Sequence, residues 1–264
     1  MSVQHSTPIP ALAGIGLRSH HFREILDAPP SVAWMETHPE NYFGEGGATL
    51  RILERIRGRY PLSFHGVGLS LGSTDSLDRV HLRKLKTLVD RFDPALVSEH
   101  LSWSSVGGRF LNELLPLPST EESLKHVCSR IDEIQTVLQR PLLVENITRY
   151  LTWRESTIPE GAFMAKVARS TGCGILLDLN NVYVNAVNFH LDPFDFLDAI
   201  PVEAVQEIHL AGFHRFGSML IDTHGEAICP EVWGLYQWAV HHIGPRPTLI
   251  EWDTNMPPLS VLVE

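Results

Sequence analysis

Short apolar segments alternate with helix-like segments along this whole chain, and this alternation limits the folds open to it more than any other feature. Most of the apolar segments are continuously apolar, as expected of strands that are buried on both faces of a sheet. They span residues 11–17, 32–36, 62–65, 96–100, 142–146, 174–179, 205–210 and 248–252. The helix-like segments between them span residues 22–26, 49–58, 77–90, 120–138, 160–170, 193–199 and 230–243.

Alternating strands and helices form a parallel sheet that is joined by right-handed crossovers. Eight such strands in 264 residues predict an α/β fold, a (β/α)8 TIM barrel with a single domain over residues 1–264. A doubly wound open sheet is the alternative, but Gly14-Ile15-Gly16 lacks the rest of the glycine fingerprint that binds dinucleotides. Because only residues 253–264 follow the last apolar segment, we expect a short C-terminal end.

Composition excludes several classes of function. The formal net charge of −10 argues against sequence-independent binding of nucleic acid, which requires a basic surface. No apolar run approaches the roughly 20 residues that a membrane span needs, and the N-terminal residues lack the pattern of a secretory signal. The three cysteines are far apart and show no Cys-x-x-Cys spacing, so neither a disulfide framework nor a thiolate zinc site is indicated. We therefore expect a cytoplasmic protein.

Polar side chains collect where the apolar segments end, and seven of the eight segments end in His, Glu, Asp or Asn. In a barrel all these ends lie on one face, where the active sites of this fold form. A buried carboxylate or imidazole is costly unless it is paired or bound to a metal, and several such groups on one face need a common cause. A metal cluster supplies that cause for five of them, His65, His100, Glu145, His209 and Glu251.

A second signal follows the seventh apolar segment. Asp222 and His224 lie two residues apart in a turn-like segment shortly after His209. Two imidazoles and a carboxylate are a donor set that suits Zn, Fe, Co and Mn. Glu36 and Asn41 flank the expected barrel mouth and are predicted to orient ligands, and His38 and His214 lie near it without an assigned role.

Other catalytic arrangements find no support in the sequence. Glu99 directly precedes His100, so it is expected on the opposite face of its strand, as a structural acid behind the site. No Gly-x-Ser-x-Gly elbow is present, and no cysteine lies at the end of an apolar segment, so neither a serine nor a cysteine nucleophile is indicated.

These motifs together resemble those of the multinuclear non-haem iron oxygenases typified by the methanobactin biosynthesis oxygenase, most of which were long classed as bacterial proteins of unknown function. The motifs that carry the resemblance lie at residues 35–43, 64–70, 98–103, 144–146, 177–184, 208–212 and 221–225. The resemblance covers nearly the whole chain and implies a barrel of the xylose-isomerase-like type with two or three irons at its top.

The resemblance also implies a set of ligands. His65, His100 and Glu145 would hold one iron, with Glu145 as a candidate bridge. Asp178, Asn181, His209 and Glu251 would surround a second iron, and Asp222 and His224 would complete a third, more labile position. Zn or Mn can replace iron in the purified protein, because availability as well as geometry selects the ion. The expected catalytic residues are His65, His100, Glu145, Asp178, His209 and Glu251.

Family members use O2 to modify cysteines of ribosomally made precursor peptides, typically with a separate partner protein that binds the peptide leader. The sequence shows no peptide-docking module, and a closed barrel has no free edge strand, so we predict that such a partner presents the peptide. Two other readings stay open: a divalent-metal isomerase or phosphodiesterase on the same barrel, and a metal-binding protein without turnover. A sugar isomerase usually needs a lysine at its site, and no segment end here carries one.

Overall fold

The computed structural model describes residues 8–264, and strands and helices alternate through that part of the chain. The strands, numbered β1 to β12, are Ala13–Gly16, Met35–Thr37, Leu62–Gly66, Leu96–His100, Trp103–Val106, Arg109–Leu115, Leu143–Glu145, Gly174–Asp178, Val205–Leu210, His214–Phe216, Met219–Ile221 and Thr248–Ile250. The α-helices, numbered α1 to α9, are Phe22–Asp27, Ala48–Arg57, Arg79–Phe92, Glu121–Leu138, Glu160–Thr171, Leu179–Phe189, Pro193–Leu197, Pro230–Ile243 and Leu259–Val263.

Within residues 8–264, eight parallel strands close a barrel in the order β1, β2, β3, β4, β7, β8, β9 and β12, and β12 pairs with β1 to complete the ring. Each of the eight apolar segments contributes one of these strands, so the predicted (β/α)8 barrel is confirmed. The open-sheet alternative is wrong, because Gly14 on β1 lies opposite Leu249 on β12 and leaves no gap in the ring. That residues 1–264 form one domain stays a prediction.

Burial on both faces explains why the strands read as continuous apolar runs. Every residue of β3 and β8 is buried, because one face of each strand fills the barrel and the other is covered by helices. Helices α4 and α8 begin where the sequence indicates. The Thr120 hydroxyl accepts a hydrogen bond from the Ser123 N–H at 3.1 Å at the start of α4, and Pro230 opens α8.

Two β-hairpins and two helices, α6 and α9, were not predicted. The first hairpin pairs β5 with β6 after barrel strand β4, and the second pairs β10 with β11 after β9. The prediction that the chain offers no exposed edge strand is therefore wrong, since both hairpins lie outside the closed ring. Helix α6 follows β8 without a loop, because the Asp178 side chain accepts a hydrogen bond from the Asn181 N–H at 2.6 Å and caps its first turn.

The C-terminal end is short, as expected. Helix α9 has five residues, and its Leu259 and Leu262 are buried against the core. Through residues 8–264, no helix combines the length and the apolar character that crossing a membrane would require.

Candidate metal centre

The carboxyl ends of the barrel strands bring the predicted side chains to one face. His65 lies on β3, His100 ends β4, Glu145 ends β7, Asp178 ends β8, His209 lies on β9, and Glu251 directly follows β12. Asp222 and His224 follow the second hairpin and reach the same face. All but Asp222 and His224 are buried, and those two are half-buried. Parallel strands account for this gathering, because they all end at the same rim.

Three donor atoms form a tight triangle at one side of the barrel mouth. The Nε2 atoms of His65 and His100 are 3.2 Å apart, and Glu145 Oε2 lies 3.1 Å from each of them. Metal–ligand bonds of about 2.0–2.2 Å put neighbouring donor atoms about 3.0–3.5 Å apart. Glu145 Oε2 makes no hydrogen bond within residues 8–264, although it is this close to both nitrogens. The triangle therefore has the dimensions of three ligands around one divalent ion.

The far side of each imidazole is held in place. His65 Nδ1 is 2.7 Å from the Ser98 hydroxyl, and His100 Nδ1 is 3.1 Å from the Gly66 carbonyl oxygen. These contacts orient the rings so that both Nε2 atoms face Glu145. Glu99 lies behind the site, as its position in the strand predicted, and its carboxylate accepts hydrogen bonds from the backbone N–H groups of His100 and Leu69 at 2.9 Å.

His209 lies between carboxylates on two sides. Its Nδ1 is 3.1 Å from Glu251 Oε2 and 3.6 Å from Glu145 Oε1, and its Nε2 is 3.3 Å from Glu36 Oε1. Two sets of donor atoms therefore meet at this ring: Glu36, His209 and Glu251, and Glu145, Asp178 and His209. Glu36 was predicted to lie near the mouth and to orient ligands, and its Oε1 in fact contacts His209 directly.

His224 connects the second hairpin to the barrel. Its Nδ1 is 3.3 Å from Glu251 Oε2, its Nε2 is 2.7 Å from Asp222 Oδ1, and it forms a fourth donor set with Asp178 and Glu251. The backbone of His224 has φ +46°, a left-handed conformation that is uncommon outside glycine and that concentrates at functional sites. Asn180 Nδ2 donates to Asp222 Oδ1 at 2.7 Å and fixes that carboxylate.

Asn181 lines the same cavity, but its amide is already engaged. Its Nδ2 donates to the Asn146 carbonyl oxygen at 3.0 Å, and its Oδ1 accepts from the Thr148 hydroxyl at 2.6 Å. An amide oxygen has two acceptor positions, so one remains for a metal, and the ligand role of Asn181 stays a prediction. Asp178 uses Oδ1 to cap α6, while its buried Oδ2 has no hydrogen-bond partner in the described part of the chain.

Two residues that the sequence analysis missed support these ligands. The Arg18 guanidinium pairs with Asp253 and lies 3.7 Å from Glu251 Oε1. Asp253 Oδ2 in turn lies 3.3 Å from His224 Nδ1. Their positions in the sequence could have identified them. Arg18 follows β1 by two residues and Asp253 follows β12 by three, so both lie at the same rim as the ligands.

Of the three remaining candidate residues, His38 lines the cavity, whereas His214 and Asn41 do not. The Nδ1 of His38 is 2.9 Å from the His65 carbonyl oxygen. His214 is exposed on β10 and lies 3.9 Å from Glu226, and Asn41 is also exposed. The cavity above the ligands has a volume of about 620 Å3, and residues 110–114 of the first hairpin form part of its wall.

Burial and charge oppose each other within the triangle. Burial disfavours the negative charge of Glu145, but His100 and His65 outweigh burial and hold the pKa of Glu145 at about 2. Burial likewise disfavours a positive charge on His100, but Glu145 and Glu99 outweigh it and raise the pKa of His100 to about 9. A proton on His100 therefore occupies, at neutral pH, a position that a divalent cation can take.

His209 and His224 show the same opposition of burial and charge, whereas Asp178 does not. Burial disfavours charge on His209 and His224, yet neighbouring carboxylates raise the pKa of both imidazoles well above the usual value; for His209 these are Glu36 and Glu251. Burial and the adjacent Glu145 raise the pKa of Asp178 well above its ordinary range. Buried carboxylates next to protonated imidazoles are expected in a metal site without its metal, because the protons then balance the negative charge that the metal ions would otherwise balance.

We expect the binding of Zn2+ to the metal-free protein to release protons. A metal ligand must be a neutral imidazole, and the raised pKa values of His100, His209 and His224 keep these groups protonated at neutral pH. The affinity should therefore increase as pH rises toward about 9, by up to about tenfold per pH unit for each displaced proton. Calorimetry in buffers of different ionisation enthalpy counts the protons, and an affinity that is constant between about pH 6 and pH 8 would contradict the expectation.

The fold has well-known counterparts among solved structures. A D-psicose 3-epimerase solved with D-fructose is similar over 96% of this chain and 89% of its own, with a TM-score of 0.61 and 12% identity. Endonuclease IV from Thermus thermophilus is similar over 94% of both chains, with a TM-score of 0.61 and 17% identity. At these identities the similarity shows the fold alone, a TIM barrel of the xylose-isomerase-like type.

Comparisons of sequence identify the family. A UPF0276 protein from Acaryochloris marina is 49% identical over 251 residues, which cover 95% of this chain and 91% of the relative. A UPF0276 protein from Chromobacterium violaceum is 48% identical over 256 residues, which cover 97% of this chain and 92% of the relative. The family described as the RiPP precursor modification enzyme MbnB/TglH/ChrH matches residues 12–264. RiPP denotes a ribosomally synthesised and post-translationally modified peptide. The chain belongs to this family of enzymes, which confirms the resemblance seen in its motifs.

Proposed function

We propose that this enzyme holds two or three iron ions at the barrel mouth and uses O2 to modify a cysteine of a precursor peptide. The family supports a precursor peptide as the substrate, and the donor sets support a multinuclear metal centre. The iron, the oxygen, the cysteine and a separate leader-binding partner are parts of the proposal. A cytoplasmic location also belongs to the proposal.

One observation carries the multinuclear reading: Glu145 belongs to two donor sets at once. Its Oε2 faces His65 and His100, and its Oε1 faces His209. A carboxylate whose two oxygens point to different groups of donors can bridge two metal ions. Asp178 and Glu251 each appear in two of the donor sets as well, so neighbouring metal sites would share these residues.

The donor chemistry favours iron over a soft-metal site. The donor sets found in residues 8–264 contain imidazole and carboxylate but no thiolate, a mixture that suits Fe, Mn and Zn. Iron, when bound there, would supply the redox chemistry with O2 that zinc cannot. His65, His100 and Glu145 would hold one ion, and Asp178, His209 and Glu251 with Asn181 would hold a second. Asp222 and His224 would complete a third position, and Glu36 would fix His209.

The enzyme's own cysteines are unsuited to the reaction. Burial raises the pKa of the Cys173 thiol to about 11, and burial also raises the pKa of the Cys128 and Cys229 thiols. A raised pKa keeps these groups protonated, and only a thiolate is a good ligand or nucleophile. A reacting thiolate would therefore come from the substrate, and a cavity of about 620 Å3 above the ligands has room for a cysteine and its neighbours.

We expect aerobic incubation of the iron-loaded enzyme with its precursor peptide and a leader-binding partner to change the peptide's mass. Positioning a thiolate beside O2 replaces a chance encounter, so the product should exceed that of the metal-free enzyme by at least about 100-fold. Mass spectrometry measures the product. The matched controls are a precursor with serine in place of the cysteine, an anaerobic reaction and the zinc-loaded enzyme. Equal product without O2, or with zinc, would refute an iron-dependent oxygenase and would favour metal chemistry of the Lewis-acid type.

A further inference from the structure

The outer strand of the first hairpin has main-chain groups that no neighbouring strand uses. Strand β6 pairs only with β5 within residues 8–264. The register shifts along this pair: Ser105 lies opposite Phe110, but Trp103 lies opposite Leu115. Residues 111–114 therefore face Ser104 alone, so β6 carries a large bulge whose backbone lacks a regular partner. Bulges of this kind are common next to active sites.

The bulge lies against the metal cavity. Residues 110–114 all line the same cavity as His65, His100 and Glu145. They are exposed or half-buried. A molecule that enters the cavity would therefore meet this segment.

The hairpin is held firmly enough to serve as a template. Its turn, Gly107-Gly108, has φ of 61° and 73°, and the Asp75 carboxylate accepts a hydrogen bond from each of the two N–H groups at 2.9 Å. Along the outer side of β5, the Ser70 hydroxyl accepts hydrogen bonds from Ser104 N–H at 2.9 Å and Ser105 N–H at 3.1 Å. Strand β5 is thus bound to the rest of the protein, so β6 is the strand of the hairpin whose free edge can accept a partner.

We propose that residues 110–114 of β6 bind the segment of the precursor peptide around the reacting cysteine, in an extended conformation, through main-chain hydrogen bonds. The inference deepens the proposed function and rests on it for the identity of the occupant. An extended peptide leaves its own main-chain donors and acceptors free, so it can bond to backbone groups that no other strand uses. Continuity of this edge with the metal cavity places the bound segment beside the ligands. Only Glu113 in the segment is charged, so recognition relies on the backbone and tolerates varied flanking side chains.

The test measures binding without turnover. The zinc-loaded enzyme is mixed under anaerobic conditions with the synthetic peptide acetyl-Thr-Val-Thr-Cys-Val-Thr-Val-amide at about millimolar concentration. Hydrogen–deuterium exchange with mass spectrometry then follows the segment that contains residues 109–115. We expect amide exchange there to slow by at least about tenfold. A twin peptide that is N-methylated at the residues flanking its cysteine keeps the thiol but loses main-chain donors, and it should slow exchange by less than about threefold.

Matched substitutions locate the contact on the enzyme. Asn112→Pro and Glu113→Pro each remove one N–H from the bulge, where proline is tolerated, whereas Asn112→Ala and Glu113→Ala keep it. We expect at least one proline variant to weaken peptide binding by about tenfold and both alanine variants to change it by less than about threefold. Unchanged zinc content and thermal unfolding show that each variant is folded.

Several outcomes would overturn the inference. These are the absence of slowed exchange with the peptide, equal slowing by the N-methylated twin, or proline variants that bind as their alanine counterparts do. Slowed exchange without peptide that increases with protein concentration would assign the edge to a second copy of the chain and would also overturn it. If the peptide slows exchange but the iron-loaded enzyme fails to consume O2, the proposed oxygenase activity is refuted and the proposed peptide-binding edge is supported.

Discussion

Replacing Glu145 by alanine is expected to remove more than one equivalent of bound metal. Glu145 Oε2 lies 3.1 Å from the Nε2 atoms of His65 and His100, and its Oε1 lies 3.6 Å from His209 Nδ1. Loss of a carboxylate that is shared between two donor sets weakens both. Turnover should fall by more than the roughly 10–100-fold that is typical when a residue supporting a metal ligand is lost. Elemental analysis of protein loaded with iron measures the metal content.

The matched control is Glu207→Gln. Glu207 is also a buried acid on a barrel strand, but burial and the adjacent Glu36 raise its pKa well above the usual range, so its carboxyl tends to stay neutral. It contacts the Ser63 hydroxyl at 3.3 Å and lies 3.9 Å from His209 Nε2, on the side of the ring that faces away from Glu145. Glutamine has the same shape as a neutral glutamic acid, so the metal content should not change. Full metal content in the Glu145→Ala variant would remove Glu145 from the site.

The barrel and its rim could be predicted because a strand that is buried on both faces must be largely apolar in sequence. Every residue of β8 is buried, and its residues 174–177 appear as an uninterrupted apolar run that ends at Asp178. Parallel strands end on one face, so a polar residue at the end of each run must converge with the others. That reasoning needs only the direction of each strand, which is why five residues could be placed on one face without knowledge of any distance: His65, His100, Glu145, His209 and Glu251. The grouping of His65, His100 and Glu145 around one ion came from the family resemblance.

The remaining features depend on contacts that are distant in sequence. Helix α6 contains Asn180, Asn181 and Val182 in its first turn, residues of modest helix propensity, and its cap at Asp178 also ends a strand. The first hairpin is secured by Asp75 and Ser70, which precede it by about thirty residues. A local sequence pattern does not predict contacts between residues that are about thirty positions apart in the chain. Glu36 was expected only to orient ligands, because nothing in its segment reveals that the His209 ring presents a nitrogen to it.

A precursor peptide and this enzyme alone are expected to react slowly, and a separate leader-binding partner should raise turnover by about 100-fold or more. The expectation now has a basis different from the absence of an edge strand, because β6 provides one. Strand β6 has only seven residues, so pairing with it supplies few main-chain hydrogen bonds, each worth about 1 kcal/mol. Association costs about 4–15 kcal/mol of lost freedom, so this edge alone holds a peptide weakly.

A partner that grips the leader makes docking of the cysteine segment intramolecular, which raises its local concentration without new contacts on the barrel. The measurement is initial rate against precursor concentration with and without the partner, using iron-loaded enzyme in air. A leaderless peptide is the matched control, and its rate should not respond to the partner. If the partner acts by concentration alone, the lower rate without it should recover at high peptide concentration, since KM changes more than kcat. Full activity at low precursor concentration without any partner would show that the enzyme recognises the leader itself.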